Sequence, residues 1–403
     1  MVWLKTPAFA AFLCAYVLSQ FYRAFLAVVA GDLTRDLKLG AAELGDLSAI
    51  WFVTFAFAQF PVGMALDRFG PRRTVSGLFL VAVAGAAWFA MARGFGDAAA
   101  AMALIGIGCS PILMGSMYYF GRTAPPERFA MLVSLILGVG SLGNLLSAAP
   151  LAWAVTIIGW RSSIALIAAA TAVSAIAVYL VIRDPERVVV QDKSGDGLIS
   201  GLVAIFSLRP ILLMAPLVLV SYASVVSLRS LWIAPFFGDV HGYDVAQRGN
   251  AAFVMAVAMT LGALAFGPLE RRLGGPKNTV LLGTVLAIAA LAFLAAMGAN
   301  SPALALVVYA VFGFTAMTYV IMMAHARMFY PPHLLGRGVT ALNFLFIGGA
   351  GLTQWISGRL VEGATTAGWT PAATYATLHG TLAAVVAAAT LIYLLTPARP
   401  TAS

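Results

Sequence analysis

Tyr16–Asp32 reads YVLSQFYRAFLAVVAGD, and Tyr222–Asp239 reads YASVVSLRSLWIAPFFGD. Each is an apolar run interrupted by one arginine. Tyr16 stands seven residues before Arg23, and Tyr222 seven before Arg229. The two arginines are 206 positions apart, and the closing pairs Gly31-Asp32 and Gly238-Asp239 are 207 apart. Further along, GMALDRFGPRRT from Gly63 is echoed by GPLERRLGGPKNT from Gly267. Chance aligns one arginine easily. It does not readily align the arginine, its tyrosine, the Gly-Asp and a basic stretch together, so the chain reads as a duplicated unit.

The composition says what kind of unit. Of 403 residues, 62% are hydrophobic and 10% charged, with a mean hydropathy of +0.95. Soluble domains carry about 25% charged residues, which excludes a soluble enzyme, a nucleic-acid module or a disordered tail. A membrane helix needs about 20 apolar residues, and the chain divides into twelve such runs. The spans fall near 8–31, 46–66, 75–92, 98–120, 129–153 and 162–182, then 210–237, 246–268, 279–298, 302–327, 338–360 and 372–395. The expected fold is therefore an all-α integral membrane protein of two pseudo-symmetric six-helix bundles, residues 1–182 and 210–403. Between them lies a polar cytoplasmic loop, 183–209, with Asp184, Glu186, Arg187, Asp192, Lys193 and Asp196.

The net charge of +9 follows the rule that lysine and arginine stay on the cytoplasmic side and does not call for nucleic acid. With the N-terminus inside, 16 basic residues fall on the cytoplasmic side and 6 on the outer side. Arg23 and Arg229 remain within spans. Both termini are then cytoplasmic. The first apolar run is too long for a signal peptide, and Cys14 and Cys109 sit in apolar runs without disulfide or zinc spacing. Ala-rich composition and minimal loops point to a bacterial inner membrane.

Gly63, Asp67, Arg68, Gly70, Pro71, Arg72 and Arg73, between spans two and three, resemble the signature loop of the major facilitator superfamily. Gly267, Glu270, Arg271, Arg272 and Lys277 resemble its second copy, and Gly159-Trp160-Arg161 before span six is also similar. The resemblance covers the whole chain. It implies twelve helices, alternating access, a monomer, and a conformational latch built from Gly63, Asp67, Arg68, Gly70, Arg72, Arg73, Glu270 and Arg271. Two features depart from the family's drug antiporters. No arginine precedes Gly106-Ile107-Gly108 in span four, and span five has Gly138, Gly140 and Gly143 without a Gly-Pro pair.

An arginine at the bilayer centre costs about 2.5–3.5 kcal/mol on insertion scales and by default marks a functional site. All fifteen carboxylates fall in loops or at span ends. Two arginines on symmetry-related spans ask for an anion, because guanidinium meets carboxylate or phosphate with paired hydrogen bonds. The expected function is a secondary or facilitative transporter of a small organic anion, a carboxylate or phosphate ester, with Arg23 and Arg229 as its clamp. The competing reading is that each arginine snorkels or bonds backbone carbonyls. Tyr16, Gln20 and Tyr222 are the neighbouring contacts, and Gln59, Tyr319, Asn343 and Gln354 are further polar candidates, as is Asn144. The pattern resembles the organophosphate and anion–cation branches, but Tyr22-Arg23 stands where the latter often carry Asp-Arg. Carboxylate-based proton symport is therefore not expected, and His325 and His379 are the remaining titratable groups in spans.

Three more classes leave weaker traces. Met255 and Met259, one turn apart, resemble part of the pattern in copper importers of the superfamily, without a second pair; methionine is also ordinary apolar filler. A drug/proton antiporter and a transporter-like ligand sensor are also compatible with a twelve-span chain. No catalytic constellation, Walker loop or His/carboxylate metal cluster is present. The expectation is a non-enzyme with no cofactor, no resident metal and no direct use of ATP, whose partners are a small anionic substrate and the bilayer. The glycine pairs of spans four and five read as close helix packing.

Overall fold

The structure, a computed structural model, describes residues 6–185, 205–330 and 335–399. Lys5 and the central stretch from Glu186 through Lys193 and Asp196 lie outside the described residues, as does the side chain of Arg271. All regular structure among the described residues is helical. Among the described residues, eight helices, or nine counting one bent pair, are long and apolar enough to cross a membrane. Two of them are double. Ala41–Ala90 runs through Gly70 at φ 79°, and Ala149–Val181 through Gly159 at φ 77°. Each glycine ends one rod and starts the next. Cutting there and adding Leu335–Thr366 makes twelve spans.

Three spans begin with the same local chemistry. Thr6-Pro7, Ser301-Pro302 and Thr370-Pro371 each put a hydroxyl N-cap before a proline at the first helical position. The hydroxyl accepts a backbone N–H that the helix leaves open, and proline has no N–H to satisfy. Apolar side chains then face outward. Val173, Leu180 and Leu166 on span six are 69%, 71% and 61% exposed, as expected where lipid is the solvent.

The span boundaries correct the sequence reading in four places. Span one is not a single helix: Pro7–Tyr22 and Leu26–Leu37 meet at a 47° bend, and the second piece continues past residue 31. The signature stretch is not an open loop but helix on both sides of Gly70. Likewise Gly159-Trp160-Arg161 begins span six directly after span five, with a single glycine as the turn. Spans four and ten break near Ser110 and at Met317–Thr318. In each case hydropathy averages over a break that one to three residues make.

The chain packs as two compact units. The first is Met1–Val189 with Ser230–Gly238 and Tyr243–Phe253; the second is Val190–Arg229 with Asp239–Gly242 and Val254–Ser403. Glycine sets the packing of the first. A side chain on Gly106 would strike the Trp51 carbonyl of span two, and one on Gly108 would strike Ala82 and Leu78 of span three. Gly140 and Gly143 likewise lie against Tyr16 and Val17 of span one. These close approaches substitute for the hydrophobic drive that lipid-solvated helices lack.

Candidate substrate-binding site

In the first unit Arg23 sits at the break of span one. It is the C-cap of Pro7–Tyr22, a half-buried residue whose Nε is buried, and the second segment starts only at Leu26. Its Cζ lies 4.8 Å from the Phe55 ring centroid and 5.6 Å from that of Trp51. Those two rings, one turn apart on span two, stack at 5.1 Å and 20°. A cation against aromatic faces gains about 0.5–2 kcal/mol, which offsets part of the insertion cost. Gln20 Oε1 and Trp51 Nε1 are buried and hydrogen-bond to no described residue. Such atoms are rare in folded proteins and call for a partner such as water or a ligand. Cys109 hydrogen-bonds Ser19 and lies within electrostatic reach of Arg23. Tyr16, by contrast, is only 5% exposed and lies against Gly140, so span five holds it. Tyr22 bonds Thr171 at 2.9 Å. Gln59 is half-buried, one turn beyond Phe55.

In the second unit Arg229 is 2% exposed and lies in a π-helical turn, Leu228–Trp232, between Arg209–Ser227 and Ile233–His241. Single π-turns within α-helices cluster at functional sites. The Tyr222 and Tyr319 rings pack with centroids 4.6 Å apart, and Phe346 lies 5.3 Å from Tyr319 and 6.2 Å from Tyr222. Spans seven, ten and eleven thus share an aromatic cluster. Tyr319 opens the second segment of span ten, and the half-buried Asn343 precedes Phe346 on span eleven. Gln354 is fully buried, and its backbone carbonyl accepts from Ser357, which also bonds Ser227. Met255 and Met259 both lie against Gly313 of span ten.

The signature stretch is built around Gly70. Asp184, past the end of span six, accepts the Arg72 backbone N–H at 2.8 Å, and Arg72 Nε donates to the Tyr179 carbonyl at 2.7 Å. The Arg72 guanidinium also lies 4.2 Å from the Tyr179 ring. Asp67 is hydrogen-bonded to Tyr118, whose ring carries Arg122 at 4.3 Å. Arg68 lies over Phe69 at 5.2 Å. A side chain on Gly63 would meet nothing, so close approach does not explain that glycine. The second copy is organised differently. Lys277 Nζ donates to the Leu394 and Thr396 carbonyls at 2.9 and 2.6 Å, and the Glu270 carbonyl accepts from Gly275.

The opposite ends are also tied. Arg35 pairs with Asp32 and Asp36, and Asp36 accepts the Trp160 indole N–H at 2.8 Å. Arg161 donates to the Ala90 and Ala92 carbonyls. In the second unit Tyr375 donates to Asp239, and His241 meets the Gly298 carbonyl at 3.0 Å. Within the first unit the Arg248 guanidinium occupies the space beside both Gly31 and Gly238, which explains the glycine of the repeated Gly-Asp. The two histidines of the spans are each bound to a tyrosine at 2.7 Å: His325 to Tyr393, and the fully buried His379 to Tyr309.

Sequence reasoning did not single out Trp51, Phe55, Phe346, Tyr179 or Tyr118 as site residues. The pairing of Trp51 with Phe55 at i, i+4 was the available signal, but aromatic residues in membrane spans are common enough to hide it.

Comparison with known proteins agrees with this architecture. The family model of the Major Facilitator Superfamily matches residues 12–353. No curated protein sequence matches. Among solved structures, a mutant of the nucleoside transporter NupG superposes with a TM-score of 0.80 at 14% identity, covering 96% of this chain and 100% of that one. A D-xylose–proton symporter gives 0.80 at 15% identity, covering 97% and 98%. An inward-facing, occupied bacterial homolog of the human lysosomal transporter Spinster gives 0.73 at 19%, covering 96% of each chain. At such identities the likeness establishes the fold and not the substrate. Together with the match over most of the sequence, it makes this chain a member of the Major Facilitator Superfamily, a multi-pass membrane transporter.

Proposed function

We propose that this transporter carries a small organic anion by alternating access, with Arg23 and Arg229 gripping its carboxylate or phosphate. The observation that supports the reading is shared by both arginines. Each stands where its span departs from α-helix, at the 47° bend in span one and in the π-turn of span seven. Transporters place substrate at such discontinuities in paired helices. Trp51 Nε1 supplies one further donor and Gln20 one further hydrogen-bonding group. On this reading residues 1–182 and 210–403 form the two moving bundles around a linker at 183–209. The protein works as a monomer in a bacterial inner membrane with both termini cytoplasmic. The stretch from Gly63 to Arg73, with Glu270 and Arg271, latches one state.

Thermal-shift screening in detergent against organic anions, sugar phosphates, nucleosides, cationic drugs and Cu(I) tests the assignment, since a ligand that binds only the folded state stabilises it. An anion that stabilises the protein is expected to bind about 10- to 100-fold more weakly in Arg23→Ala and Arg229→Ala, as loss of a charged hydrogen bond predicts. Arg23→Lys is expected to recover little, because the ammonium lacks the paired geometry. Undiminished transport of every anion by both alanine variants would sink the clamp. The aromatic rings around Tyr222 and Trp51 favour a second reading, a neutral ring-bearing solute such as the nucleosides named for one structural neighbour. Stabilisation by nucleosides, indifferent to both arginines, would establish it instead.

A further inference from the structure

A groove of about 390 Å³ runs along the first unit between spans two and three, with Ile107 of span four in its wall. Its walls are apolar, including Ala58, Pro61, Val62 and Phe69. The polar exceptions are Thr74 and Arg73. Thr74 is already bonded to the Ala65 carbonyl. Arg73 is exposed, and its guanidinium makes no hydrogen bond or ion pair to any described residue. Between Ala58 and Phe69, a helix rising about 1.5 Å per residue covers about 16 Å. That equals the depth of one leaflet of a hydrocarbon core about 30 Å thick. Large apolar side chains beside the groove, Phe57 and Met64, are 61% and 69% exposed, so this surface faces lipid.

We propose that this groove is a binding site for one anionic phospholipid, with an acyl chain along spans two and three and the phosphate on the Arg73 guanidinium. The charge at its mouth selects the headgroup. Arg73 lines it, and Arg68 and Arg72 stand within five residues of Arg73 along the chain. The acids within reach are engaged, Asp67 with Tyr118 and Asp184 with the Arg72 backbone. An uncommitted guanidinium at headgroup depth prefers a lipid with net negative charge over one whose phosphate is accompanied by an ammonium group. The expected preference is about fivefold, the value for one basic residue near an anionic surface. The mouth lies at the end of the bundle that carries most of the basic residues, where anionic lipids gather. The site is independent of the substrate reading, since Arg23 takes no part in it.

Native mass spectrometry of the purified transporter with phosphatidylglycerol or phosphatidylcholine of identical chains tests it. One lipid is expected to be retained, phosphatidylglycerol about fivefold over phosphatidylcholine. Arg73→Gln removes the preference and Arg73→Lys keeps it. Gly77→Leu fills the groove and lowers retention of both lipids. Gly77 tolerates the change because an added Cβ meets nothing within 4 Å, and unchanged melting temperatures without lipid check that both variants fold. Equal retention of the two lipids, or a preference that survives Arg73→Gln, overturns the headgroup assignment. Retention untouched by Gly77→Leu overturns the groove. Displacement of phosphatidylglycerol by millimolar inorganic phosphate would mean that Arg73 binds free phosphate, and overturns the lipid.

Discussion

Replacing Gly70 with alanine separates a backbone requirement from a tertiary contact. Gly70 adopts φ 79°, ψ 168°, a region open essentially to glycine, and holding another residue there costs about 1–3 kcal/mol. It is also the N-cap position of span three and has no side chain to cap it. Asp184 supplies the missing cap from 112 residues away, accepting the Arg72 N–H at 2.8 Å. A cap of this type contributes about 0.5–2 kcal/mol. An added Cβ would fall on the Asp184 carboxyl, so Gly70→Ala incurs the backbone cost and loses the cap, about 1.5–5 kcal/mol in sum. Asp184→Ala alone costs about 1 kcal/mol. In the double variant the alanine meets no carboxyl and only the backbone cost remains. Gly70→Ala is therefore cheaper by about 1 kcal/mol when Asp184 is absent, above the few tenths at which independent sites add. Reversible unfolding of the four proteins in mixed detergent micelles measures this. If the two effects add within about 0.3–0.5 kcal/mol, Asp184 does not cap span three and the tie between spans three and six is incidental.

Two further outcomes are expected. Lys277→Met strips the Leu394 and Thr396 carbonyls of their donor and costs about 1–2 kcal/mol, with faster hydrogen exchange confined to the last turn of span twelve; exchange unchanged there would refute the capping role. His379→Gln keeps a partner for Tyr309, whose bond to His379 ties spans ten and twelve, so transport and its pH dependence persist, while Tyr309→Phe costs about 1 kcal/mol. Proton-linked uptake lost in His379→Gln would make the histidine a carrier and not a strut.

Much of this was legible in the sequence because bilayer thickness and duplication both act on long stretches. The displacement of 206 residues between Arg23 and Arg229 pairs positions on spans one and seven that both prove to be helix discontinuities. Breaks and caps were not legible. Span one looks continuous because Ala24, Phe25 and Leu26 are as apolar as helix interior, and hydropathy carries no information about backbone angle. The aromatic wall behind Arg23 is invisible for a related reason: Trp51 and Phe55 differ from lipid-facing aromatics only in what they touch. Asp184 reads as linker charge because capping is usually sought within a few residues, and its partner is on span three.

Comparing the halves strengthens the case for the two arginines. Every helix end must find donors for its last carbonyls, and within a bilayer the penalty for failure is severe. The first half meets this need with Arg72 at the end of span six and Arg161 at the end of span three. The second half uses Lys277 at the end of span twelve and His241 at the end of span nine. Trp160 to Asp36 is likewise answered by Tyr375 to Asp239. The tasks are retained while the residues differ, because a carbonyl or a carboxylate accepts from any well-placed N–H or O–H. Arg23 and Arg229 are unlike these pairs: the same residue stands on both spans, each at a helix discontinuity. A lysine or histidine would serve a helix end. A planar, permanently charged, two-pronged donor suits a carboxylate or a phosphate, and on the proposed reading that is why both halves carry arginine.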